Sequence, residues 1–200
     1  SLISQFNRST SGLVVDRHFQ IVIKKSLDVF KATGGVFDIT IQPLVQAWGF
    51  SVKPTSTLPD SASIQSLLKC VGSENIYLEN DRLVKTKPCI HVDVNGIAQG
   101  YTVDVLANFV EKKGVKNYLI EVGGEIRVKG RKYPSKEKMA IGIEGPSENG
   151  IEENPIQKIV KLDRGAITTS GNYRKYYQSG SKRISHLIDP KTGYPIQNEL

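Results

Sequence analysis

Two hundred residues carrying 27 Lys and Arg against 20 Asp and Glu give a basic chain of formal net charge +7. That length suits one domain or two lobes whose core needs no metal or disulfide staple. No run of about 18 apolar residues offers a membrane-spanning helix, the opening SLISQFNRST is not a signal peptide, and the scattered basic residues, densest at Lys112-Lys113 and Lys129-Gly130-Arg131-Lys132, lack the interleaved aromatics of a nucleic-acid surface.

Apolar residues at Phe19, Val22, Ile23, Leu27 and Phe30 form a helical stripe over 18–33 that stops at Gly34-Gly35. Phe37-Asp38-Ile39-Thr40 follows, then a short apolar segment from Pro43 to Phe50, with Pro43 suited to a first helical turn. Residues 51–60, rich in Ser, Thr and Pro, read as an exposed loop. A second helix is predicted over 61–70, capped by Asp60 or Ser61. Strands over 75–78 and 82–85, joined by a Glu79-Asn80-Asp81 turn, precede a third over 90–94. The next helix covers 98–113, with Val103, Leu106, Ala107 and Val110 on one face, and Gly114 ends it. Strands over 117–122 and 125–129 flank Gly123-Gly124, a bulge or close-approach signal. More strands are predicted over 138–144, 156–162, 165–169 and 183–188, with a polar loop at 145–155. Close strand neighbours and few helices make this an α+β fold with antiparallel sheet. Cys70 and Cys89 lack metal or redox spacing and read as buried free thiols; the alternative is one disulfide in an exported protein.

Five stretches carry candidate chemistry. In HVDVNGIAQGYTVDVL, from His91 to Leu106, an apolar run delivers Asp93 to a sheet edge. Gly96 allows close backbone approach, and the helix beginning near Ala98 points its free N–H groups and positive end at the same place. That geometry favours an anion such as phosphate, with a cation or donor between it and Asp93; plain turn punctuation is the competing reading. In ISHLIDPKTGYP, His186 precedes the turn signature Asp189-Pro190-Lys191-Thr192-Gly193 and reads as either a proton carrier or a structural hydrogen-bonder. In AITTSGNYRKYY, Thr168, Thr169 and Ser170 either hold a ligand or cap the segment after them; no GxSxG elbow marks a serine hydrolase. In GGVFDITIQPLVQAWGF, Phe37 and Asp38 sit in a turn that either faces a ligand or packs in the core. The fifth is EVGGEI, from Glu121 to Ile126. No P-loop, GxGxxG, HExxH or EF-hand is present.

Taken in order, FDITIQPLVQAWGF, DVNGIAQGYTVDVL, GVKNYLIEVGGEIRVKG, TTSGNYRKYY and SHLIDPKTGYP resemble the ApbE family of flavin transferases over residues 37–195. The resemblance implies a two-lobed, T-fold-like α+β domain covering 1–200 and trimmed at both ends. It implies an FAD:protein FMN transferase that uses Mg²⁺ and moves FMN from FAD to a threonine of a target protein, the flavoprotein subunit of a redox complex, releasing AMP. The alternatives are an FAD pyrophosphatase and a non-catalytic flavin-binding protein. It further implies an exported, lipid-anchored lipoprotein on the periplasmic side of the bacterial inner membrane, with no nucleic-acid partner. Carried over by position, Phe37, Asp38, Asp93, Gln99 and Leu187 contact FAD, the Gly96 carbonyl binds magnesium, and His186 moves the proton. Gln99 departs from the pattern, because many relatives have Lys there. The family's usual A-D-x-x-x-T segment, which completes the magnesium site, is absent from these residues.

Overall fold

Asp16 starts the first long helix, capping it with a carboxylate that accepts from Phe19 N at 2.8 Å. Before it come α1 (Leu2–Arg8) and the strand β1 (Gly12–Val14); α2 itself is Arg17–Ala32. The computed structural model describes residues 1–51, 57–145, 156–170, 176–179 and 182–196. The chain divides into two units, Ser1–Ile97 with Arg174–Leu200, and Ala98–Tyr173.

In the first unit, α2 buries Phe19, Val22 and Ile23 as the stripe predicts, with Ser26 beside them returning its hydroxyl to Val22 O at 2.8 Å. The helix closes where Gly35 N reaches Phe30 O at 2.9 Å. Next come α3 (Gln42–Ala47), with Pro43 in its first turn, and α4 (Ser61–Leu68), capped by Asp60 on Ser63 N at 2.8 Å. The strands β2 (Ile76–Glu79) and β3 (Arg82–Lys85) form the predicted hairpin, and β1 adds to it in the antiparallel order β1-β3-β2. One core cluster joins Leu44 and Trp48 to Ile64, Ile184 and Ile188. Burying each such side chain contributes about 1.5–3 kcal/mol, so this cluster holds the C-terminal segment to α3 and α4. Trp48 Nε1 donates to Gly193 O at 2.7 Å, which fixes the 189–193 turn on the same cluster.

The second unit takes its helix from α5 (Asn95–Lys112). Its strands are β4 (Tyr118–Val122), β5 (Glu125–Lys129), β6 (Met139–Glu144), β7 (Ile156–Leu162) and β8 (Arg164–Ile167). They pair antiparallel as β4-β5-β8 and β6-β7. In this helix only Val103 and Ala107 are buried; Leu106 is 40% exposed. Polar contacts tie helix to sheet instead. Arg127 pairs with Asp104 at 2.7 Å, Lys129 with Glu111 at 2.9 Å, and the Tyr118 hydroxyl donates to Glu111. The Tyr118 bond first, and the Lys129 bond second, hold the Glu111 carboxyl below its ordinary range. The last hairpin, β9 (Tyr176–Ser179) with β10 (Lys182–Ser185), belongs to the first unit.

The structure corrects several expectations. Segment 90–94 is not a ladder strand: it touches its neighbour through the Ile41–His91 bridge and the Asp93 N to Ile39 O bond, while Ile90, Val92 and Val94 point inward. Its alternation is real, but burial rather than sheet pairing causes it. The α5 helix begins at Asn95, not Ala98, so Gly96 lies in its first turn. The last predicted strand ends at Ser185, leaving His186 on a bend. Most of the predicted loops at 51–60 and 145–155 lies outside the described residues.

Cys70 and Cys89 are not free thiols but a disulfide, with Cα atoms 5.5 Å apart. Cys89 is exposed and Cys70 half-buried. The exit of α4 and the turn after β3 meet there, where Lys87 Nζ also donates to Lys69 O at 3.0 Å. The bridge closes a loop of sequence separation 19, so reduction is expected to cost about 3 kcal/mol. Thermal melts with and without reductant, and of Cys70→Ser, measure this; an unchanged midpoint would refute it.

Behind that turn lies Lys85, only 3% exposed. Its ammonium donates to Pro88 O and Ile90 O at 3.1 and 2.9 Å and sits 5.0 Å from the Phe6 ring centroid. Burial pushes its pKa down. His91 is held below its ordinary value by burial first and by the Lys85 charge second. It stands neutral near pH 7, with Nδ1 against Gln42 Oε1 at 3.2 Å.

Candidate functional site

The turn at 37–41 and the segment 90–94 meet through the Ile41–His91 bridge in the first unit and place Phe37, Asp38 and Asp93. The Asp93 backbone is fixed by its bond to Ile39 O at 2.7 Å. Its carboxylate accepts from Asn95 N at 2.8 Å, so it sits immediately ahead of the first turn of α5. A carboxylate there is favoured by the positive end of the helix dipole. Two of the first-turn amides are taken locally, Asn95 N by Asp93 and Ile97 N by Val94 O at 3.0 Å, which leaves the positive end of the helix itself as the anion-attracting feature. Gly96 lets its neighbour come close: a Cβ there would lie 3.2 Å from Phe37 Cε2, a tight contact that the ring would have to yield to. The half-buried Phe37 ring therefore lies over the helix start, giving a flat apolar surface beside an anion-attracting one.

Asp38 faces inward. It is 8% exposed. Its Oδ1 accepts from Thr40 N at 2.8 Å, Thr40 Oγ1 at 2.6 Å and Ser73 Oγ at 2.6 Å, and its Oδ2 from Ser73 N at 3.1 Å. Thr40 Oγ1 in turn accepts from Gly72 N at 2.7 Å. The carboxylate is thus a lock between two loops, and a ligand at this turn would meet the Phe37 ring and the backbone.

His186 follows β10 directly, its ring edge-on to Phe50 with centroids 6.2 Å apart. Leu187 gives its carbonyl to Ile196 N at 2.8 Å. The turn after them holds itself, with Asp189 accepting from Lys191 N at 2.8 Å and from Thr192 Oγ1 at 3.2 Å. Lys191 Cε lies 3.9 Å from the place of a Gly35 Cβ. The start of the first stretch, the second stretch and the fourth stretch therefore lie within one unit.

EVGGEI and the Thr168–Ser170 hydroxyl run belong to the second unit. Gly123 and Gly124 form the β4–β5 turn with φ of 57° and 97°. A Cβ on Gly124 would lie 3.7 Å from Thr169 Oγ1, so the hydroxyl run after β8 borders that turn. Gln99 also packs here: its Nε2 donates to Val122 O at 2.8 Å and to Gly123 O at 2.9 Å. Sequence reasoning found the position of Gln99 but missed these partners; the double glycine was the signal for a close approach. A separate cavity of about 330 Å³ is lined by Asp104, Glu111, Tyr118, Arg127 and Lys129 among others, and those charges pair with one another.

Among the described residues, no group of three or more His, Cys, Asp or Glu side chains is arranged to hold a metal ion. The Gly96 carbonyl is a suitable donor for a hard cation, but magnesium takes about six oxygens. The described residues do not by themselves supply that set.

The family model described as "ApbE family" matches residues 1–200. A curated FAD:protein FMN transferase of Vibrio cholerae is 36% identical over 203 residues, covering 100% of this chain and 60% of the relative. The solved structure of flavin transferase ApbE from Vibrio cholerae superposes with a TM-score of 0.84 at 35% identity, covering 99% of this chain and 62% of that one. The solved apo form of Pseudomonas stutzeri flavinyl transferase ApbE gives 0.85 at 32% identity, covering 98% and 60%. The chain thus spans about 60% of the length of the curated relative it matches. Matched from end to end by the family model, and sharing its fold with solved members, this chain belongs to the ApbE family.

Proposed function

We infer that this chain is the flavin-handling part of an FAD:protein FMN transferase. The observation that carries the reading is the start of α5, where Asp93, Gly96 and the Phe37 ring meet at a helix N-terminus. The positive end of the helix suits the pyrophosphate of FAD, and Phe37 offers a surface for a ring system. Asp93 accepts a hydrogen bond from the dinucleotide. At the 37–38 turn the contact comes from the Phe37 ring and from backbone, and Leu187 adds an apolar contact.

The reaction balances simply. A threonine hydroxyl of the target attacks the FMN phosphorus, a new P–O bond forms, and the bond to the AMP phosphate breaks. The hydroxyl proton passes to His186, and AMP leaves as an anion. The Gly96 carbonyl would be one oxygen ligand of a magnesium ion, which would supply charge neutralisation. The target is a flavoprotein subunit of a redox complex. The disulfide supports an exported setting, since such bonds persist in oxidising compartments; a lipid anchor on the periplasmic face of the membrane fits that setting.

The test is incubation with FAD, Mg²⁺ and a threonine-containing acceptor peptide, read by mass spectrometry. A peptide carrying FMN, with AMP in equal amount, is expected. Free FMN and AMP with no modified peptide would instead make the protein an FAD pyrophosphatase. FAD bound without any AMP release would make it a flavin-binding protein.

A further inference from the structure

Gln99 lies in the second turn of α5, and its surroundings show what the amide does. Both N–H bonds of its Nε2 are engaged, one by Val122 O at 2.8 Å and one by Gly123 O at 2.9 Å. An amide nitrogen has only two donors, so none is left for a phosphate oxygen. The contact is close enough to dictate the residue opposite: a Cβ on Gly123 would stand 1.9 Å from that nitrogen. Gly123 also has φ of 57°, where a side chain is strained for a second reason. The far side of the turn is held by Glu121, whose Oε1 accepts from Gly124 N at 2.7 Å. What the hairpin still offers is acceptors. Gln99 Oε1 accepts from no described residue, and Glu125 Oε2, the first residue beyond the turn, is buried with no hydrogen-bond partner. Acceptors repel phosphate and attract hydroxyl or amino hydrogens.

We propose that Gln99 is a positioning residue that clamps the Gly123–Gly124 turn, and that the turn so held receives a hydrogen-bond donor of the ligand, a sugar hydroxyl or a base amino group, not its phosphates. The ligand half of this rests on the flavin-dinucleotide reading; the clamp does not.

The experiment compares the unmodified chain with Gln99→Met, which keeps the length and removes both donors, and Gln99→Lys, which restores donors. Amide hydrogen exchange at Gly123 and Gly124 is measured without ligand, and FAD and inorganic pyrophosphate are each titrated. Gln99→Met is expected to speed exchange at the turn about ten-fold. It is also expected to weaken FAD several-fold while leaving pyrophosphate unchanged. Gln99→Lys is expected to restore the protection. Unchanged exchange in Gln99→Met overturns the clamp. Equal weakening of FAD and pyrophosphate places Gln99 on the phosphates and overturns the donor assignment. No FAD binding by the unmodified chain defeats the flavin reading, and the ligand-free exchange comparison still decides the clamp.

Discussion

His186→Ala is expected to lower flavin turnover about a hundred-fold or more, the usual loss when a positioned acid or base is removed. FAD affinity is expected to stay nearly constant, because the contacts assigned to FAD lie mainly on Phe37, Asp93 and the start of α5. The ring packs edge-on to Phe50, so removing it opens space at the margin of the Trp48 cluster, and a modest drop in melting temperature accompanies the loss. His186→Gln separates the two effects, since it restores bulk and hydrogen bonding without a titrating nitrogen. Turnover measured under single-turnover conditions, beside FAD titration, checks the split. Normal turnover in either variant would remove His186 from proton transfer.

Asp38→Ala produces the other large effect, and it falls on stability. Four donors from Thr40 and Ser73 converge on that carboxylate. Deleting the acceptor strands them in a buried place, at a cost of about 3 kcal/mol or more. Asp38→Asn keeps the shape but replaces one acceptor oxygen with a donor, so it falls between. Denaturant unfolding gives the difference directly. If Asp38→Ala melts like the parent but loses FAD, the carboxylate is a ligand contact and not a lock.

Much of the scaffold was legible because its signals are local. The α2 stripe, the Asp60 cap, the 82–85 strand and the glycine stops each follow from a few adjacent residues. The errors arise where distant segments decide. The alternation from Ile90 to Val94 reads as a strand, yet its inward residues are set by the 37–41 segment and by α1, whose Asn7 brackets the Val92 amide and carbonyl. Gly96 looked like a turn residue, but it lies within the helix, and the close neighbour there is Phe37, far away in sequence. The disulfide joins positions separated by 19 residues, and nothing local announces it. For the candidate site, residue types and order pointed to Asp93 and Gly96 through the family pattern. The pattern could not show that the Asp38 carboxylate turns inward or that both Gln99 donors are engaged, because those facts depend on Ser73 and on the β4–β5 turn.

Lys85 turns the first unit into its own reporter. With its ammonium closed in by Pro88 O, Ile90 O and the Phe6 ring, the amine is out of reach of acylating reagents while the unit stays shut. Surface lysines label at once. Lys85 labels only through an opening that separates α1 from the turn carrying Cys89. Its modification rate therefore clocks the local breathing of the segment that leads into Asp93, with no probe introduced and no residue changed.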